Sequence, residues 1–150
     1  MELKTHGFIS SAHKLPNYKG KCVNLHGHTW AYYVHAYCPD EKLKDGMIFD
    51  FSLFKSLDHQ YINKFVEMPT AENMIHYLAN QIWKFNPAVE IINLRLWEDI
   101  EGLIDMKRLE NGEGEFVSLH RPDKNKLPKP KTGLNTEIAK KEGGDSENRQ

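Results

Sequence analysis

Three histidines in the first thirty residues have the spacing of a catalytic metal site. His26 and His28 alternate in a segment rich in aromatic and β-branched residues, and an extended strand places residues i and i+2 on the same face of its sheet. His13 ends the preceding apolar segment and could supply a third ligand. Catalytic zinc sites use three protein ligands, often imidazoles, and leave a fourth position open. The pattern therefore predicts a zinc site formed by His13, His26 and His28.

Cys22 lies shortly before this pair of histidines and has three possible roles. It could be a small buried apolar side chain with no chemical function. It could instead be a fourth zinc ligand, which would close a structural site and leave no position for chemistry. In the third role the nearby cation favours the thiolate, which acts as a proton-abstracting base. The residues alone leave these alternatives open.

Asp58 and His59 form a possible acid–base pair. A carboxylate can hold an imidazole in one tautomer and stabilise its protonated form. Because adjacent residues do not share a helix face, the pair must lie at a bend or a helix end to interact. The alternative is a pair of solvated polar side chains.

Glu98, Thr70 and Glu72 are candidates for binding a substrate. Glu98 follows an apolar strand, and a carboxylate can accept two parallel hydrogen bonds from the ring N–H and the exocyclic amine of a pterin or guanine. A solvated strand end is the alternative. Thr70 and Glu72 open a predicted helix, and capping alone would explain Thr70.

Six segments of periodic apolar residues must position these side chains. They occur in the order strand, strand, helix, helix, strand, strand, which favours an α+β fold with an antiparallel sheet. The two helices are expected on one face of that sheet. The predicted segments are 1–11, 25–37, 52–61, 70–86, 89–97 and 103–109, with a further short strand at 116–119.

Composition limits the class of protein. The 150 residues predict one domain over 1–120, and the polar, Pro- and Lys-rich segment 121–150 predicts a disordered tail. A net charge of −1 gives no electrostatic signature of nucleic acid or membrane binding. Two cysteines do not form a disulfide framework. These features predict a cytoplasmic protein.

Six short motifs occur along the chain: Ser11 to Leu15, Cys22 to His28, Asp50-Phe51, Leu57 to Asn63, Pro69 to Asn73 and Trp97-Glu98. Together they resemble the 6-pyruvoyl-tetrahydropterin synthase and 6-carboxytetrahydropterin synthase family. The resemblance implies a tunnelling fold, in which three subunits close a barrel and two trimers stack into a homohexamer with sites between subunits. It also implies that His13, His26 and His28 bind zinc.

The same resemblance assigns the remaining roles. Cys22 would be the catalytic thiol, Asp58 and His59 a proton relay, and Glu98 the anchor of the pterin ring. Thr70 and Glu72 match the helix start beside the substrate pocket. Between Asp50-Phe51 and Leu57, the family commonly has a helix about two turns longer than this chain allows.

The spacing of the cysteine motif indicates a branch of the family. Three residues separate Cys22 from His26, as in the queuosine-pathway enzymes. This implies a lyase that converts 7,8-dihydroneopterin triphosphate to 6-carboxytetrahydropterin, acetaldehyde and triphosphate. The alternatives are a 6-pyruvoyl-tetrahydropterin synthase, a non-catalytic zinc-stabilised binding module and a zinc hydrolase acting on another substrate.

Overall fold

A four-stranded antiparallel sheet in the order β1-β2-β3-β4 forms the centre of the molecule. The computed structural model describes residues 1–99 and 106–121. Nearly all of the predicted tail, 122–150, therefore lies outside the described residues. The elements are β1 (Glu2–His13), β2 (His26–Tyr37), α1 (Ser52–Lys55), α2 (Ala71–Phe85), β3 (Glu90–Trp97), α3 (Met106–Asn111) and β4 (Val117–His120).

The β1–β2 hairpin is the longest pairing in the sheet. Its register runs from Glu2 opposite Tyr37 to His13 opposite His26, and it sets Ser11 opposite His28. Residues directly opposite each other in an antiparallel pair project to the same face. The register therefore brings His13, His26 and His28 to one face at one end of the sheet.

Helix α2 covers the same face of the sheet. Thr70 caps it by accepting a hydrogen bond from the Asn73 backbone N–H at 3.2 Å, as predicted. Its apolar stripe is buried against the side chains of β2 and β3 that point to this face. The buried residues of the stripe are Met74, Ile75, Leu78, Ala79 and Ile82.

The predicted first helix, 52–61, is wrong beyond its first turn. Helix α1 ends at Lys55, and His59 has a φ of +56°, which no right-handed helix contains. The backbone there forms hydrogen bonds with β1 instead of continuing the helix. His59 N donates to Ser10 O at 2.6 Å, and Gln60 O accepts from Ala12 N at 3.0 Å.

The predicted strand 103–109 is also wrong over the part that the structure describes. Residues 106–111 form α3, and 100–105 lie outside the described residues. Leu109 is buried with Ala31, Tyr33 and Trp97, which alternate with the residues facing α2. Helix α3 therefore packs on the opposite face of the sheet. The two predicted helices, α1 and α2, both pack on the first face, as expected. The fourth strand is β4, within one residue of the short strand expected at 116–119.

The α+β class and the antiparallel sheet are confirmed. The described helices include none with the length and apolar character that crossing a membrane requires. The arrangement leaves the three histidines beside the start of α2 and the end of β3.

Candidate metal centre and active site

The rings of His13, His26 and His28 converge at the end of the β1–β2 hairpin where residues 14–25 connect the two strands. Their centroids are 4.6 Å apart for His13 and His26 and 4.8 Å apart for the other two pairs. One nitrogen from each ring lies within 4.8 Å of the other two. The strand register produces this convergence, since it combines one i, i+2 pair with a residue directly across the hairpin.

An oxygen atom fixes the far side of each ring. Carbonyl and carboxylate oxygens only accept hydrogen bonds, so each Nδ1 carries the proton and the Nε2 of the neutral ring presents a lone pair. Metal-binding histidines usually show this arrangement. The three contacts are His13 Nδ1 to Pro69 O at 2.8 Å, His26 Nδ1 to Asn24 O at 2.7 Å and His28 Nδ1 to Asp99 Oδ1 at 2.6 Å.

The three Nε2 atoms fit a metal ion. All three are buried, and none has a hydrogen-bond partner within residues 1–99 and 106–121. A buried polar atom without a partner costs about 1–3 kcal/mol, and here three such atoms lie together. A divalent ion that accepts imidazole ligands would satisfy all of them at once.

His13 is the most buried of the three, with 1% of its surface exposed. Burial lowers the pKa of its imidazole from 6.5 to about 4, and the hydrogen bond to the Pro69 carbonyl opposes this shift only partly. The Trp30 ring packs edge-on against the His13 ring, with the two ring centroids 5.4 Å apart. His13 is therefore neutral at pH 7, which is the form that binds a metal.

Glu98 lies beside the cluster rather than away from it. Its Oε1 is 3.5 Å from His13 Nε2 and 3.4 Å from His28 Nε2, distances too long for well-formed hydrogen bonds. Burial raises the pKa of its carboxyl group, and His28 opposes that effect. The side chain thus has free acceptor capacity next to the histidines.

A cavity of about 270 Å³ extends from Glu98 towards the start of α2. Glu72 lines it, whereas the Thr70 hydroxyl is used in capping α2. The structure therefore brings Glu72 and Glu98 together and gives Thr70 a structural contact. The lining residues are Ala71, Glu72, Leu96, Glu98, Asp99, Glu115, Phe116 and Val117.

Asp58 and His59 lie at a bend that is hydrogen-bonded to β1. Asp58 Oδ1 accepts a hydrogen bond from Ser10 N at 2.8 Å, and His59 N donates to Ser10 O at 2.6 Å. The positive φ of His59 brings the two side chains together, with Asp58 Oδ2 3.6 Å from His59 Nε2. The imidazole is 84% exposed and free to meet a substrate.

An open cleft of about 670 Å³ joins this pair to the histidine cluster. His28 and His59 both line it, so a ligand in the cleft could contact both. The lining residues are Ser10, Ser11, Ala12, Gly27, His28, Thr29, His59, Gln60, Tyr61 and Asp99.

Cys22 occupies a short 3₁₀ turn, Lys21–Val23, before β2. Its backbone carbonyl accepts a hydrogen bond from Leu15 N at 2.7 Å, which ties the turn to the chain leaving β1. The thiol is free and half-buried. Among the described residues the metal-binding group contains only the three histidines, so the sulfur does not complete a four-ligand site there.

The sequence patterns did not identify Asp99. It bonds to His28 across 71 positions of sequence, and it lines both the cavity and the cleft. Its only sequence signal is a second carboxylate directly after Glu98. A side chain that bonds to a histidine so far away in the sequence leaves no local periodic pattern.

Comparison with known proteins relates the chain to one protein family. The family model described as 6-pyruvoyl tetrahydropterin synthase matches residues 2–108. A 6-carboxy-5,6,7,8-tetrahydropterin synthase of Synechocystis is 38% identical over 80 residues, which cover 43% of this chain and 60% of that protein. A dihydroneopterin monophosphate aldolase of Pyrococcus furiosus is 32% identical over 92 residues, which cover 55% of this chain and 78% of that protein.

Solved structures include a distant likeness to the same group. The 6-pyruvoyl tetrahydropterin synthase of Plasmodium vivax is 14% identical, with a TM-score of 0.47 over 82% of this chain and 98% of that one. The chain spans 60% of the length of the Synechocystis relative. The family model, in contrast, matches more than two thirds of the 150 residues and includes the three histidines. The chain belongs to the 6-pyruvoyl tetrahydropterin synthase family.

Proposed function

We propose that the chain is a zinc-dependent lyase of queuosine biosynthesis. It converts 7,8-dihydroneopterin triphosphate and water to 6-carboxy-5,6,7,8-tetrahydropterin, acetaldehyde and triphosphate. The observation that carries this proposal is the set of three buried Nε2 atoms that lack a hydrogen-bond partner among the described residues, next to the Glu98 carboxylate. The name of the Synechocystis relative supports the choice of reaction.

His13, His26 and His28 would hold the zinc ion through Nε2. Bound there, zinc would lower the pKa of substrate hydroxyls and acidify the neighbouring C–H bond. The oxygen partners on Nδ1 keep each ring in the tautomer that binding requires. Because His13 is neutral well below pH 7, no proton must leave it when metal binds.

Cys22, Asp58 and His59 would move the protons. Cys22 is outside the metal-binding group, so its sulfur stays available as the base that takes a proton from the substrate carbon. His59 faces the cleft and would exchange protons with a substrate oxygen. Asp58 would stabilise the imidazolium formed in that exchange, since its free oxygen faces the His59 ring.

Glu98 would anchor the pterin ring, with Glu72 beside it. The raised pKa of Glu98 reflects its burial in the cavity, where two parallel hydrogen bonds from the pterin would compensate the lost hydration. Glu72 lines the same cavity and could bind another polar edge of the ring. Thr70 would stabilise the start of α2 and would not contact the pterin.

We further propose that the active enzyme is a homohexamer, a dimer of trimers. The apolar side chains of Val23 and Leu25 are 40% and 63% exposed in and beside the turn that carries Cys22. Exposed apolar side chains clustered at a site favour coverage by another protein surface. A second copy packed there would exclude water from the thiol and complete the site.

An aldolase acting on dihydroneopterin monophosphate is the second candidate. The Pyrococcus furiosus protein with that name is matched over 78% of its length, more than the Synechocystis synthase. Both reactions cleave a carbon–carbon bond of a pterin side chain. The phosphate chain of the accepted substrate and the products separate the two.

The test is to incubate the zinc-loaded full chain with the triphosphate and, separately, the monophosphate of dihydroneopterin. We expect 6-carboxytetrahydropterin by mass and acetaldehyde from the triphosphate alone. Cys22→Ala should abolish turnover and retain zinc, whereas Cys38→Ala, which alters the other free cysteine, should retain both. A 6-pyruvoyl product without acetaldehyde, cleavage of the monophosphate alone, or no turnover would each contradict the proposed reaction.

A further inference from the structure

His28 differs from the other two histidines in the group that orients it. Backbone carbonyls hold His13 and His26, whereas a carboxylate holds His28, with Asp99 Oδ1 2.6 Å from Nδ1. A hydrogen bond to an ionised acceptor is shorter and roughly twice as strong as a neutral one. The ring of His28 therefore has the strongest orienting contact of the three.

Two consecutive residues bracket the His28 ring. Glu98 lies 3.4 Å from Nε2, on the side where the three rings meet, and Asp99 bonds to Nδ1 on the opposite side. Successive side chains leaving a strand point in opposite directions, so the end of β3 can reach both edges of one imidazole. Asp99 thereby links the end of β3 to a ring carried by β2.

The exposure of Asp99 indicates a role in positioning rather than in stabilising the fold. Its side chain is 69% exposed, whereas that of His28 is 12% exposed. Because the carboxylate keeps most of its hydration, its hydrogen bond to His28 adds little to the stability of the fold. The contact therefore acts mainly on the imidazole.

We propose that Asp99 is a positioning residue of the metal centre. It fixes His28 in the tautomer with hydrogen on Nδ1, orients Nε2 towards His13 and His26, and increases the zinc affinity of the chain. This inference rests on the zinc site of the proposed function. It assigns to Asp99 a part in metal binding, distinct from substrate binding by Glu98.

The first test measures zinc affinity of the metal-free full chain by competition with a chelator. Asp99→Ala should weaken binding by about 10- to 100-fold, and Asp99→Asn should lie between the parent and the Ala variant, because its amide oxygen still accepts from Nδ1 without the charge. Glu115→Gln is the matched control, since it removes a carboxylate from the same cavity. Equal affinities of the Asp99→Ala and Glu115→Gln variants would overturn the proposal.

Two further measurements separate positioning from folding. The ¹⁵N spectrum of the metal-free parent should show His28 with hydrogen on Nδ1, and Asp99→Ala should shift it towards the other tautomer. Urea unfolding of the metal-free variants should give nearly the parent's stability. An unchanged tautomer, or a stability loss large enough to account for the weakened zinc binding, would overturn the proposal.

The parent chain distinguishes this inference from the proposed function. If the parent binds no zinc, the metal centre itself is wrong, and both proposals fail. If the parent binds one zinc per chain and Asp99→Ala binds it equally well, only the positioning role fails.

Discussion

The burial of His13 predicts how the stability of the metal-free protein depends on pH. Its imidazole has a pKa of about 4 in the folded chain, against 6.5 when exposed, because burial disfavours the charged ring. Each unit of pKa corresponds to about 1.4 kcal/mol at 25 °C. The pKa difference therefore represents about 3 kcal/mol in the free energy of unfolding.

The sign of this pH dependence follows from whether the folded or the unfolded chain binds the proton. Above pH 6.5 the ring is neutral in both states, and His13 contributes no dependence on pH. Between pH 6.5 and 4 the unfolded chain takes up a proton that the folded chain does not, so the free energy of unfolding falls as the pH falls. Below pH 4 both states are protonated, and the loss is complete.

The assay is urea unfolding of the metal-free chain at a series of pH values, compared with His13→Asn. The Asn amide can still donate to the Pro69 carbonyl in place of Nδ1, but it does not titrate. Groups distant from His13 titrate alike in both proteins, so the difference between the curves reports His13 together with its coupling to His26, His28 and Glu98. The parent should lose about 3 kcal/mol more than the variant between pH 6.5 and 4. Parallel curves would refute the reasoning.

Two substitutions test other parts of the site. Asp58→Asn should keep the hydrogen bond from Ser10 N but remove the charge facing His59, so kcat should fall by roughly 10²- to 10⁴-fold with an unchanged circular dichroism spectrum. An unchanged kcat would contradict the proton relay. Thr70→Ala should remove the cap on Asn73 N and lower the free energy of unfolding by about 1 kcal/mol without changing KM. A higher KM at unchanged stability would instead support substrate contact by Thr70.

Local patterns predicted the elements whose residues face one buried layer. Aromatic and β-branched residues marked β2, alternating apolar residues marked β3, and the stripe of Ile75, Leu78 and Ile82 marked α2. The i, i+2 spacing of His26 and His28 was enough to place both rings on one face. These features depend on neighbours in sequence, which is why they could be predicted.

Long-range contacts decided the parts that local patterns did not predict. The spacing of Phe54, Leu57 and Tyr61 suits a helix, but the backbone after Lys55 bonds to β1 and ends it. Leu109 fits a strand pattern equally well, yet it lies in a helix packed on Tyr33 and its neighbours. The spacing of apolar residues indicates that a segment is buried, but it does not indicate which part of the protein packs against that segment.

The site was predictable to the extent that its residues share motifs. The histidine cluster follows from strand geometry, and the bend at Asp58 and His59 from the requirement that adjacent residues interact. The contact of Asp99 with His28 depends on the path of β3 across the sheet. No spacing rule in the sequence encodes that path.

X-ray absorption spectroscopy at the zinc edge tests the central claim most directly. For the full chain loaded with zinc, three histidines as the only protein ligands predict one zinc per chain with nitrogen neighbours at about 2.0–2.1 Å and no sulfur neighbour. A sulfur neighbour at about 2.3 Å would mean that Cys22 closes the site. That result, or the absence of stoichiometric zinc, would contradict the account.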